Sequence, residues 1–190
     1  MRPGVHRMPS TVRGLVVLVA TVMLVAACGG MHVLEDRNPD YAAHTPIHTV
    51  FLVAPEDLFA DQSTNLVQAL GGELAKHGYT VVSTLQIASF LPGHDTSVPG
   101  VLSPDSLHAL VDHQVDAVLV LRTGAALMGA SEIRHAKVAA TSTRTQKAIG
   151  DIQWDNAWGG MPGSPADHMM RRGPETVAHE IADALARLLG

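Results

Sequence analysis

The feature that most constrains this chain is the apolar run from Leu15 to Ala27, which stops at a single cysteine, Cys28. Arg2, Arg7 and Arg13 precede it with no acidic residue among them, and Ala26 and Ala27 close it with small side chains. Basic leader, apolar core and small-residue exit form the order of a secretory signal peptide. The run is 13 residues long, whereas a membrane-spanning helix needs about 20. Residues 1–27 are therefore expected to be a removable signal, and the fold has to be built from residues 28–190.

The end of the run is more specific. Leu24-Val25-Ala26-Ala27-Cys28 resembles the lipobox of bacterial lipoproteins. That resemblance implies cleavage before Cys28, diacylglycerol on its sulfur and acylation of the new amino terminus. Cys28 is the only cysteine in the chain, so no disulfide competes for it, and disulfide-stabilised secreted domains need pairs. Several acyl chains on one residue anchor stably where one chain is marginal. Gly29 stands where an aspartate would imply retention in the inner membrane; by the same resemblance this points to the periplasmic face of the outer membrane.

The remaining 163 residues suffice for one domain with a core of its own. Taking the three leader arginines from the 13 basic residues leaves 10 against 18 acidic ones, a formal charge of −8. Nucleic acid calls for a basic footprint and is excluded as a partner. The acids are scattered, as on a solvated surface.

Residues 28–46 read as the lipidated terminus and a tether: Gly29-Gly30 is flexible, Asp36 to Asp40 is polar with a proline, and no periodicity appears. Residues 47–190 read as a single α/β domain. His48–Ala54 is a continuously apolar, β-branched run, expected to be a central buried strand. Asp61 to Thr64 offer caps for a helix whose apolar face is Leu66, Ala69, Leu70, Leu74 and Ala75, with Gly78 as a left-handed stop. Strands are expected at Tyr79–Ser83 and Ala117–Arg122. Between them, Thr84 opens a short helix to about Phe90, residues 92–102 form a loop, and Ser103-Pro104-Asp105 starts a helix to about His113. This alternation favours parallel neighbours. Ile133–Thr143 and Ala148–Asn156 then alternate as half-buried strands about a polar turn, an antiparallel hairpin. Pro174–Leu189 is a helix with Val177, Ile181, Ala184, Leu185, Leu188 and Leu189 on one face. The expected class is a mixed sheet, part parallel and part hairpin, flanked by helices.

This order, with Leu66 to Gly78 leading into Tyr79-Thr80-Val81-Val82, then Asp116-Ala117-Val118-Leu119, then a hairpin ending in Trp154, resembles the domain shared by the amino-terminal part of TolB, the CsgG-like secretion lipoproteins and the LpoB-type activators of peptidoglycan synthases. Gln146-Lys147 stands where that hairpin usually carries glycine. No long amphipathic segment for a CsgG-type barrel is present, and the chain lacks room for a TolB propeller. The resemblance implies a stand-alone, non-enzymatic binding or assembly module of the cell envelope with a protein partner, and brings no catalytic residue.

The ten histidines after the leader lack metal-ligand spacing, and His-Glu-x-x-His, Gly-x-Ser-x-Gly and Ser-x-x-Lys are absent. No metal or cofactor is expected. Glu180 and Asp183 read as a solvated helix face. Trp154 is expected in the core. Trp158 either covers the end of the sheet or contacts a partner, and Met161 and Met128 are the accompanying contact candidates, with Leu127 beside them, because tryptophan and methionine suit hot spots and adaptable surfaces. Two rival readings stay open: a subunit of an oligomeric secretion assembly, and a metal-dependent envelope enzyme using the histidines.

Overall fold

The computed structural model describes residues 32–41, 46–53, 60–82, 86–87, 103–123, 133, 135–156, 165 and 172–190. The apolar runs form strands β2 (Thr49–Val53), β3 (Thr80–Val82) and β4 (Ala117–Thr123), preceded by β1 (His32–Arg37) and followed by the hairpin β5 (His135–Ser142) and β6 (Ala148–Asp155). The helices are α1 (Ala60–Lys76), α2 (Pro104–Asp112) and α3 (Pro174–Leu189). The six strands form one mixed sheet in the order β1-β6-β5-β4-β2-β3. β2 runs parallel to β3 and β4, and every other neighbour pair is antiparallel. The expected α/β class, a parallel part joined to an antiparallel hairpin, is the observed one.

Both parallel neighbours of β2 hide it from water, which its unbroken apolar run requires: Val50 and Phe51 are fully buried. Val50 and Leu52 face α1 and α3, where Leu66, Leu70 and Leu74 meet Val177, Ile181 and Leu185 in the main core. Phe51 faces the other way, into a smaller core with Ile87, Leu107, Leu110 and Val118 under α2. The α3 face proposed from spacing is buried in full, but Ala75 of the proposed α1 face is exposed. α1 also begins earlier than its caps suggested, so Asp61 to Thr64 lie inside the helix.

The helix ends follow local rules. Ser103 caps α2 by accepting from the Ser106 amide at 3.1 Å, with Pro104 behind it. α1 closes with Gly78 at φ 91°, its amide donating to Ala75 O at 3.0 Å while Tyr79 N donates to Leu74 O at 3.1 Å. This is the Schellman closure. α2 ends with the same pair of bonds, Gln114 N to Val111 O and Val115 N to Leu110 O, both 2.9 Å, but with Gln114 at φ 60° in glycine's place.

The stretch expected to be a tether contributes an edge strand instead. β1 pairs with β6 from His32↔Asp155 to Arg37↔Gly150. Two side chains at its end reach backbone carbonyls: Arg37 Nη2 donates to Arg187 O at the end of α3 (2.6 Å), and Asn38 Nδ2, just past the strand, donates to Ala148 O (2.7 Å). Among its described side chains, only Val33 packs against the core. One apolar contact in six residues leaves no alternation to read, which is why the composition resembles a linker.

A bulge between Ala140 and Thr141 sets Ile149 as an extra residue on β6, and it turns into the main core. Next to it, Gly150 lies against β1. A Cβ there would collide with the Asp36 carbonyl oxygen and approach Leu188 Cδ1 to 2.8 Å. Among the described residues, no helix is long and apolar enough to cross a membrane.

Candidate functional site

α2 covers only the β3-β2-β4 half of its face of the sheet. On the other half, alternation along β5 and β6 sends Ala136, Val138, Ile152 and Trp154 to the main core, and His135, Lys137, Asp151, Gln153 and Asp155 to the opposite side. No described helix packs over them. The register sets them in opposed pairs: His135 with Asp155, Lys137 with Gln153, and Ala139 with Asp151.

These side chains are knitted across the strands. Lys137 Nζ lies 2.8 Å from Asp151 Oδ2, and Gln153 Nε2 donates to Asp151 Oδ1 at 3.2 Å. His135 Nδ1 lies 3.2 Å from Asp155 Oδ1. That carboxylate oxygen is shielded from solvent and, despite the nearby ring, receives no hydrogen bond of good geometry. Beside these residues a depression of about 310 Å³ opens between the end of β4, the start of β5 and the end of β6, lined by Arg122, Thr123, His135, Lys137, Gln153 and Asp155 among others. Of the parallel strands, β4 alone reaches it, through its carboxyl end. Paired charges, an amide and a shallow floor suit a polar contact surface. Among the described residues, the lining contains no serine or cysteine.

A second polar cluster joins α1 to α3. His77 Nε2 lies 3.0 Å from Asp183 Oδ1, and His179 Nδ1 3.2 Å from Glu73 Oε2. Lys76 Nζ reaches Glu73 Oε1 at 2.5 Å. The Lys76 ammonium, helped by His179, holds the Glu73 carboxyl below its ordinary 4.5, against partial burial, which acts the other way. Among the described residues, no group of three or more His, Cys, Asp or Glu side chains is gathered to hold a metal ion.

Several residues singled out in the sequence have structural roles. Trp154 is buried, as expected, and its indole Nε1 donates to Glu180 Oε2 at 2.7 Å. Glu180 thus satisfies a core tryptophan, and Asp183 joins the helices; neither is simply a solvated side chain. Asp116, which opens the Asp-Ala-Val-Leu strand, accepts with Oδ2 from the amides of His48 and Thr49, both at 2.9 Å. It therefore aligns the start of β2 with that of β4. Thr143 Oγ1 donates to the Val115 and Asp116 carbonyls, closing the hairpin onto the same corner.

Cys28, Met128, Leu127, Trp158 and Met161 lie outside the described residues. In chain order, Met128 falls between Thr123 and His135, and Trp158 and Met161 follow Asp155. Thr123, His135 and Asp155, the strand ends nearest to them in the chain, line the depression. The sequence reasoning missed this face because each outward residue alone reads as ordinary solvation. The signal available was the opposed charge order of the two hairpin strands.

No protein-family model matches the chain, and no curated protein matches it. Among solved structures, it is similar to the PelC dodecamer from Paraburkholderia phytofirmans, with 14% identity, covering 85% of this chain and 99% of that one, at a TM-score of 0.47. A PelC variant from the same organism gives 14% identity, 84% and 98% coverage, and 0.47. The lipoprotein GNA1162 from Neisseria meningitidis gives 14%, 72% and 98%, and 0.44.

Proposed function

We propose that this chain is a lipid-anchored, non-enzymatic binding or assembly module of the bacterial cell envelope, held by acyl chains on Cys28 at the periplasmic face of the outer membrane. The observation that carries the reading is the lone cysteine at the end of a short apolar run with a basic leader. The fold supports it in one respect: one face of the sheet packs on the main core, and among the described residues half of the other is an ion-paired surface with a depression. The likeness in strand and helix order to the domain of TolB, CsgG and LpoB supports a module that works by contact. Trp158, Met161 and Met128 are the proposed contacts to an envelope protein, since tryptophan and methionine suit hot spots and adaptable surfaces and the strand ends nearest to them in the chain line that depression.

The test is chemical crosslinking in intact envelopes followed by recovery of the full lipoprotein, comparing wild type with Trp158→Ala and Cys28→Ala. The reading predicts one envelope protein recovered with wild type, much less of it with Trp158→Ala, and none with Cys28→Ala. Equal recovery from all three forms would remove both the anchor and Trp158 from the account. Stoichiometric metal in the purified protein would reopen the enzymatic rival.

A second reading, a subunit of an oligomeric assembly, is favoured by one observation. β1 is an open edge strand, and its Leu34 is 61% exposed. Light scattering of the solubilised lipoprotein separates the two: a contact module runs as a monomer and a ring subunit does not.

A further inference from the structure

β1 begins only four residues after Cys28. Four residues span at most about 14 Å even when fully extended. With a lipid on Cys28, the first residue of β1 is therefore confined near the bilayer surface. The register fixes which part of the domain comes with it: His32 is opposite Asp155, Asp155 is opposite His135, and Ala136 is opposite Thr123. The start of β1, the end of β6, the start of β5 and the end of β4 thus form one end of the sheet. The turn from Thr143 to Lys147 lies at the other end, a strand of eight residues away, roughly 27 Å at the usual rise per residue.

We propose that the end of the sheet carrying the depression, with Arg122, His135 and Lys137, faces the phospholipid headgroups of the bilayer in which the protein's own lipid is inserted, and that the Thr143–Lys147 turn points away from it. Two observations converge. The link from the anchor is too short to let this end stand a domain's length from the membrane. The anchored strand and the depression share that end of the sheet. This proposal rests on the lipid-anchor reading and adds an orientation to it.

The experiment uses the full chain matured in a bacterium that lipidates it. Acylation blocks the thiol of Cys28, so a cysteine introduced by Gln153→Cys or by Thr145→Cys takes a thiol-reactive fluorophore alone. Each labelled lipoprotein is placed in vesicles of phosphatidylethanolamine and phosphatidylglycerol containing a lipid with a nitroxide on its headgroup, after far-UV circular dichroism shows the wild-type spectrum. The expected result is flotation of both proteins with the vesicles and severalfold stronger quenching at position 153 than at position 145. Equal quenching, or stronger quenching at 145, in protein that floats overturns the orientation and leaves the anchor standing. Protein that fails to float overturns the anchor, and the orientation with it.

Discussion

Gln146 sits at φ 58° in the turn between β5 and β6, its amide donating to Ser142 O at 2.9 Å. Left-handed backbone costs an L-residue about 1 kcal/mol that glycine does not pay. Gln146 therefore carries local strain that a glycine at this position would not. Gln146→Gly is expected to stabilise the domain by up to about 1 kcal/mol, partly offset by the greater freedom of glycine in the unfolded chain. A rise in the urea midpoint at unchanged slope checks it, and a fall would show that the Gln146 side chain matters more than its backbone. Asp116 is the opposite case. An acid opening a strand is visible in sequence, but its two amide donors come from residues 67 and 68 positions earlier, and no local rule announces them.

At the level of elements, the parts that were legible share one property: their pattern is imposed by a neighbour on at least one whole face. β2 and β4 are buried on both faces, β5 and β6 alternate, and α3 has an unbroken apolar stripe over its full length. β1 was not legible, because an edge strand that touches the core through Val33 and is otherwise fixed by Arg37, Asn38 and its ladder bonds carries no hydrophobic period. Its attachment depends on Gly150, where any side chain meets the β1 backbone. Gly150→Ala is expected to push β1 off the sheet edge at a cost of about 1–3 kcal/mol, the usual range for overpacking. Hydrogen exchange localises the effect: amides of β1 should lose protection while those of β4 keep theirs. Unchanged protection in β1 would mean that the edge relaxes around the extra carbon.

Across the whole molecule, the α1–α3 seam links charge to stability. The Glu73 carboxyl titrates lower in the folded protein than in the unfolded chain. Its contribution is therefore present above the unfolded value and is lost as pH falls through the folded one. The stability advantage of wild type over Glu73→Gln should be full near neutrality and should shrink as pH falls below the ordinary carboxyl value of 4.5. Denaturation curves of both proteins across that range check it; a gap that is constant with pH would assign the loss to packing. The face with the depression was legible only in part. Its charges stand in the sequence, but their pairing depends on a register set by the bulge at Ala140 and Thr141.

The anchor at Cys28 governs the proposed function, location and orientation alike, and the mass of the mature protein tests it most directly. The full chain, expressed in a bacterium with lipoprotein maturation and extracted from its membranes, should begin at Cys28 and exceed the mass of residues 28–190 by that of a diacylglyceryl group and an amide-linked acyl chain. Cys28→Ala should abolish both the cleavage and the added mass. A mature protein of unmodified mass, or one whose cleavage is unaffected by Cys28→Ala, would contradict the account.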